Sequence, residues 1–172
     1  MNQDIHWFVG YTMSCRERKV GEVLGLLGVE YFLPEQEVVR QWSDRRKKVR
    51  RLVIPRMIFI RSTEVRRRSL LGNVPGLVRF MSRGGAFNPV IVPDNQMDVF
   101  IRMVTQSDEP VAMASEPLIP GDHVKVVGGP LEGIECELVD VQGDKCIALR
   151  LGAIGTATMK ISLSSVVKIE EN

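Results

Sequence analysis

One change of pattern, between Ser107 and Glu116, most constrains how this chain can fold. Before it, aromatic and β-branched runs alternate with stretches of helical spacing. Across it, the sequence becomes Ser, Asp, Glu, Pro and Ala, the composition of a linker. After it, apolar runs return at short intervals without helical period: His123–Val127, Glu135–Val141, Cys146–Leu151, Ala157–Ile161 and Val166–Ile169. Gly121-Asp122, Gly128-Gly129-Pro130, Gly143-Asp144 and Gly152 punctuate them. Five short strands in about 55 residues predict a small closed barrel, near the lower size limit for independent folding. The chain therefore divides into a first domain over 1–106, a linker over 107–116 and a barrel over 117–172.

Within the first domain, Trp7–Tyr11 has the content of a buried strand. Ser14 is placed to cap a helix with apolar positions Val20, Val23, Leu24 and Leu27, and Gly28 to end it. Val38–Trp42 and Val49–Ile54 read as a β-hairpin whose polar tip is Ser43-Asp44-Arg45-Arg46. Met57–Ile60 is the most apolar strand, and Glu64–Leu71 a short helix. Leu77–Met81 and Val90–Val92 are extended, and Pro93-Asp94 opens a last helix through Met97, Phe100, Ile101 and Val104. Hairpin-type pairing makes this an α+β domain, an antiparallel sheet flanked by helices.

Charge follows the same division. Residues 1–109 carry 18 Lys/Arg against 12 Asp/Glu, and residues 110–172 carry 5 against 9. The segment Arg40–Arg68 holds 12 basic residues opposed by Asp44 and Glu64 alone. Such asymmetry predicts two units with different partners. Three widely spaced cysteines, Cys15, Cys136 and Cys146, fit a reducing, cytoplasmic setting with buried thiols, a Cys136–Cys146 disulfide being the poorer alternative. No segment approaches the roughly 18 apolar residues of a membrane span. The N-terminus has no signal-peptide pattern.

Two groups of residues carry a family resemblance. Gly121-Asp122-His123-Val124-Lys125-Val126-Val127 followed by Gly129-Pro130-Leu131-Glu132-Gly133 resembles the KOW motif, a strand leading into a Gly-Pro-aromatic-x-Gly turn. Trp7-Phe8-Val9, Glu30–Pro34, Ile54–Ile60 and Val74–Phe80 resemble the NusG N-terminal domain in sequence and order. The basic hairpin and Ile54-Pro55-Arg56-Met57 look more like the specialised UpxY-type paralogues than the housekeeping protein. Pro55-Arg56-Met57 stands where Pro-Gly-Tyr is usual, Leu131 where the turn has an aromatic, and Ile154-Gly155-Thr156 where Phe-Gly-Arg is expected.

That resemblance implies a bacterial elongation factor, a monomer without cofactor or metal. Its first domain would grip the β′ clamp helices of RNA polymerase, and its SH3-like five-stranded KOW barrel would recruit termination factor Rho or a ribosomal protein. Carried over by position, the polymerase-facing residues are Tyr11, Ile54, Pro55, Met57 and Ile91, though strand alternation buries one or two of them. Arg45, Arg46, Lys47, Lys48, Arg50 and Arg51 are the expected contacts to DNA or nascent RNA, with Trp42 either stacking on a base or packing against the hairpin. The consecutive Arg66, Arg67 and Arg68 point round a helix, so at least one of them is expected to face DNA or the opposite polymerase pincer.

Nothing points to an enzyme. His6 and His123 are the two histidines, and neither Cys-x-x-Cys, a P-loop nor Gly-x-Ser-x-Gly occurs. The expected function is suppression of pausing and early termination on polysaccharide operons. A general NusG-like factor acting genome-wide is the alternative, and a plain RNA-binding or ribosome-associated KOW protein a third. The acidic second half disfavours the last. Glycines and Pro130 there also predict a permanent barrel on a flexible tether.

Overall fold

A computed structural model describes residues 4–85 and 87–170. They form two compact units, residues 4–34 with 54–97 and residues 35–53 with 98–170.

The first unit is built on β1 (Ile5–Thr12), which pairs antiparallel with β5 (Met57–Thr63). Beyond β5 lies β2 (Glu30–Phe32). Two short strands, β6 (Leu77–Phe80) and β7 (Ile91–Val92), share the other edge of β1. Side chains alternate across the sheet, so register decides what each face carries. Phe8 lies opposite Ile60 and Gly10 opposite Ile58 and Phe80. This face packs with Val20 and Leu24 of helix α1 (Glu17–Leu26) and Leu70 of α2 (Glu64–Asn73) in one apolar core.

Helix ends show where local chemistry rules. Thr63 caps α2 by accepting a hydrogen bond from the Arg66 amide. At α1 the chain turns at Met13–Arg16, so the helix begins two residues later than a Ser14 cap would place it. Arg16 stands at the cap without a side-chain hydrogen bond. Gly28 does end α1: its amide bonds the Gly25 carbonyl while the Val29 amide bonds that of Leu24.

In the second unit, β3 (Glu35–Gln41) and β4 (Arg46–Leu52) form the expected hairpin, closed by a bond from the Trp42 amide to the Arg45 carbonyl. The C-terminal sheet runs β13-β9-β10-β11-β12-β8. Its strands are β8 (Val111–Met113), β9 (Asp122–Val126), β10 (Glu135–Val141), β11 (Asp144–Arg150), β12 (Thr156–Lys160) and β13 (Val166–Lys168). Gly121 admits no side chain, because an added Cβ would fall 1.7 Å from the Leu138 carbonyl oxygen. Its amide donates to Glu137 (2.7 Å), which also receives Arg150. Those two contacts, Arg150 first, hold the Glu137 carboxyl below its ordinary value. Cys136 and Cys146 are free thiols, and burial pushes Cys136 up to about 11.

The sixth strand, β8, comes from the segment whose composition suggests a flexible tether. Val111, Ala112 and Met113 pair with Met159, Thr158 and Ala157 of β12. The buried Gln36 of the hairpin fastens the same segment: its amide nitrogen donates to the Glu109 carbonyl (2.8 Å), and its oxygen accepts the Val111 amide (2.9 Å). Arg51 adds a bond to the Val111 carbonyl (2.7 Å). Composition missed this because polarity at Ser107–Pro110 says nothing of backbone groups satisfied by a side chain some 70 residues earlier. α3 (Asp94–Gln106) precedes it, and Arg102 reaches the carbonyls of Pro130 and Glu132 at the Gly-Pro turn.

Replacing Gln36 by Ala leaves the buried Val111 amide without its acceptor, a loss of about 1–3 kcal/mol. We expect a lower denaturation midpoint in Gln36→Ala, and faster proteolytic cleavage within residues 107–116.

Candidate functional site

Tyr11, Met57 and Arg79 are cross-strand neighbours, since Tyr11 lies opposite Met57 on β5 and opposite Arg79 on β6. They occupy the end of the sheet face that α1 and α2 leave free. Further along that face Trp7, Val9 and Phe59 are buried, whereas Tyr11 and Met57 are half-buried. The Arg79 guanidinium lies 4.3 Å from the Tyr11 ring centroid. A flat cation on the ring fixes the tyrosine without covering the thioether beside it.

Pro55 is exposed at the turn entering β5, and Met13, 55% exposed, follows β1 at the same end. Their loops are tied by bonds from the Thr12 amide to the Arg56 carbonyl and from the Met13 amide to that of Gly76. Ile54 departs from expectation: it is 7% exposed and belongs to the core. Ile91 is exposed but lies opposite Phe8, so it projects on the other face of the sheet from Tyr11. The structure brings together Tyr11, Pro55 and Met57, and leaves Ile54 and Ile91 out. Met13 escaped the sequence reading because an apolar residue just past a strand has no periodic signature.

Arg56 explains how this end keeps its shape without the usual glycine. Its φ is 61°, in the left-handed region, which costs a side-chain-bearing residue about 1–2 kcal/mol. The buried carboxylate of Glu17 offsets part of this by accepting the Arg56 amide at 3.0 Å.

On the hairpin, strand register separates the cations. Arg46, Lys48 and Arg50 share a face with Val39 and Glu37, while Lys47 and Arg51 share the opposite one with Arg40 and Gln36. Arg45, Arg46, Lys47, Lys48 and Arg50 are exposed. Arg51 is half-buried and holds β8, so it is a structural tie rather than a free nucleic-acid contact. Trp42 at the tip is 54% exposed, and thus not packed away against the other strand. The charge is more dilute than the segment sum implies, because Glu37 pairs with Lys48 (3.3 Å). The remaining cations of Arg40–Arg68 lie in the first unit, where Arg61 meets Glu30 and Asp94.

Of the three consecutive arginines, Arg67 turns inward. It is 4% exposed, forms paired hydrogen bonds to Glu64 (2.8 and 2.6 Å), and lies over the Phe8 and Phe80 rings at 5.3 and 5.1 Å. Arg66 is exposed and donates to the Leu27 carbonyl. Arg68 is exposed and shares Glu64 at 2.9 Å. Among the described residues no group of three or more His, Cys, Asp or Glu could hold a metal ion. Among the same residues no helix is long and apolar enough to cross a membrane.

Arg56→Gly relieves the backbone angle, and we expect it to raise unfolding free energy by about 0.5–1 kcal/mol after the added chain entropy of glycine. Glu64 is held below its ordinary carboxyl value by its hydrogen bond from Arg67 first, then by Arg68, against the opposing effect of burial. A depressed folded value means stability present above the unfolded pKa of about 4.3 and lost as pH falls through the folded one. Glu64→Gln should therefore destabilise the protein at neutral pH by about 1–3 kcal/mol, with the gap from wild type closing as denaturation is repeated toward pH 3.

Comparison with known proteins agrees with this architecture. Residues 5–101 match the family model described as transcription termination factor NusG. A Thermotoga maritima NusG structure, from work on its domain interaction, aligns with a TM-score of 0.50 and 21% identity. That alignment covers 97% of this chain and 98% of the Thermotoga one, a likeness of fold. An MjSpt4:Spt5 complex aligns over 96% of this chain and 99% of its own with 11% identity and a TM-score of 0.32, too remote to add weight. Comparison with curated protein sequences gives no significant match. With more than half of its length matched, the chain belongs to the NusG family of transcription factors.

Proposed function

We propose that this chain is an elongation factor that docks on the β′ clamp helices of RNA polymerase through Tyr11, Pro55 and Met57, with Met13 at the margin. The observation that carries the reading is the Met57–Tyr11–Arg79 row, an apolar end of a sheet face held in shape and left half-open. Exposed apolar surface of this kind on a monomeric protein marks a partner site. Adaptable methionines suit a groove between helices.

The hairpin cations Arg45, Arg46, Lys47, Lys48 and Arg50 lie along DNA or nascent RNA, each phosphate contact releasing counterions, and Trp42 stacks on an adjacent base. Alternation of charge on both hairpin faces supports backbone contact over base readout.

The C-terminal sheet acts as a KOW module of the SH3-like class that recruits a further factor, Rho or a ribosomal protein. Support comes from the turn itself: Gly129 and Gly133 have φ of 84° and 89°, and Leu131, standing for the usual aromatic, is 3% exposed. Residues 1–106 and 117–172 form the two functional modules, joined through 107–116. The cellular role is operon-specific antitermination of polysaccharide genes. The second reading is a general NusG-like elongation and termination factor acting genome-wide, in keeping with a family described by termination.

Transcription through a polysaccharide-operon leader terminator, with and without the purified chain, tests the role. Increased readthrough is expected, with Lys47→Glu/Lys48→Glu losing most of the effect. Unchanged readthrough on every such leader, with occupancy spread over most genes in vivo, assigns the chain to the general role instead.

A further inference from the structure

The segment that leads into the barrel is a strap with open space on both sides. β8 is three residues long and lies at the end of its sheet, paired with β12. Ser107 and Glu109 border a cavity of about 360 Å³ that reaches the Gly128-Gly129-Pro130 turn. Pro110 and Ala112 border another of about 280 Å³, whose wall includes Thr158 and the buried Cys146. Protein interiors are close-packed, so a segment between two voids lacks dispersion contacts that the other strands keep. Such a segment opens locally at lower cost than the barrel unfolds.

The hairpin root holds the strap closed, and there one partner is poorly matched. Arg51 gives Nη2 to the Val111 carbonyl (2.7 Å), while its Nε is buried and meets no acceptor among the described residues. Nε and Nη2 lie on one edge of the guanidinium, a fork that suits two oxygens of one phosphate. A neutral carbonyl fills half of that fork and leaves a buried donor unmet, which is costly. Towards the tip, the same hairpin face carries Val49 opposite Val38, then Lys47 opposite Arg40. Lys47 and Arg40 are exposed. Four residues of strand separate Lys47 from Arg51 by about 13 Å, within the span of one polyanion backbone. Hairpin, strap and barrel belong to one compact unit.

We propose that the hairpin root is a latch that nucleic acid releases. A phosphate beyond the Lys47–Arg40 pair takes both donors of Arg51, the Val111 carbonyl loses its partner, and β8 leaves β12. This rests on the hairpin contact proposed above and adds what that contact does to the barrel. An anion that needs both Arg51 donors binds the open strap better than the closed one, and so shifts the chain towards it. Gln36 acts in the opposite sense. Its bonds to Glu109 and Val111 do not involve the arginine fork, and they restore the closed strap when the anion leaves.

Cys146 reports the opening, because its thiol is 4% exposed and lines the cavity beside Ala112. The full chain carrying Cys15→Ser/Cys136→Ser is alkylated with N-ethylmaleimide, far below its denaturation midpoint. The reaction is followed with and without a saturating blunt DNA duplex, whose binding is measured separately by anisotropy. Duplex should speed Cys146 alkylation roughly tenfold, the equivalent of one buried acceptor left unmet. Salt that strips the duplex should abolish the acceleration. Arg51→Gln should react fast without duplex and gain nothing from it. Gln36→Ala should start faster than wild type and still be accelerated, because Arg51 remains. A duplex that binds but leaves the wild-type rate unchanged, or slows it, overturns the latch and leaves the hairpin contact standing. Equal acceleration in wild type and Arg51→Gln does the same. A duplex that does not bind removes the hairpin contact and the latch together.

Discussion

The pairing of β1 with β5 is the constraint from which the proposed docking surface follows. Seven consecutive cross-strand pairs, from Ile5 with Thr63 to Tyr11 with Met57, fix which side chains face the helices. A slip of β1 by one residue would turn Phe8 away from the core and bring Tyr11 into it. Such a slip is expensive, because it would also carry the buried Trp7 and Val9 onto the helix-covered face that Ile58 and Ile60 already line. Core packing thus sets the position of the half-open end. The Glu17 bond to Arg56 and the loop bonds of Thr12 and Met13 hold that end once the register is set.

The second unit follows a different logic. An isolated two-stranded hairpin is marginal in water. β3–β4 becomes part of a compact unit because Gln36 and Arg51 engage the backbone of the segment leading into β8. That anchoring leaves the tip free, with Trp42 and the exposed cations beyond the tie. Root and tip of one hairpin therefore have separate tasks, and Arg51 belongs to the root despite lying in the same basic run as Arg50.

Much of this was legible in the sequence, for identifiable reasons. Strands with strong alternation or apolar content, such as β1, β5, β10 and β11, lie where their patterns place them. The hairpin and the glycine end of α1 follow from turn chemistry. What escaped was set by distant partners. Alternation could not tell that Ile54 falls inside the core, because it lies past the end of β4 in the turn before β5, or that Ile91 projects on the far face, because strand pairing decides that. A summed charge over Arg40–Arg68 could not show that Arg61, Arg67 and Arg68 meet carboxylates, or that Glu37 pairs across the hairpin. β8 was invisible because one buried glutamine, remote in sequence, satisfies its approach.

Whether the Tyr11–Met57 end of the sheet binds a partner, rather than being exposed incidentally, is decided by titration calorimetry of the full chain against a purified β′ clamp-helix fragment. A binding surface gives saturable one-to-one binding with a negative heat-capacity change from apolar burial, abolished in a Tyr11→Ala/Met57→Ala variant that retains its fold. Absence of binding by the wild-type chain, or equal affinity in that variant, leaves this end of the sheet without a partner.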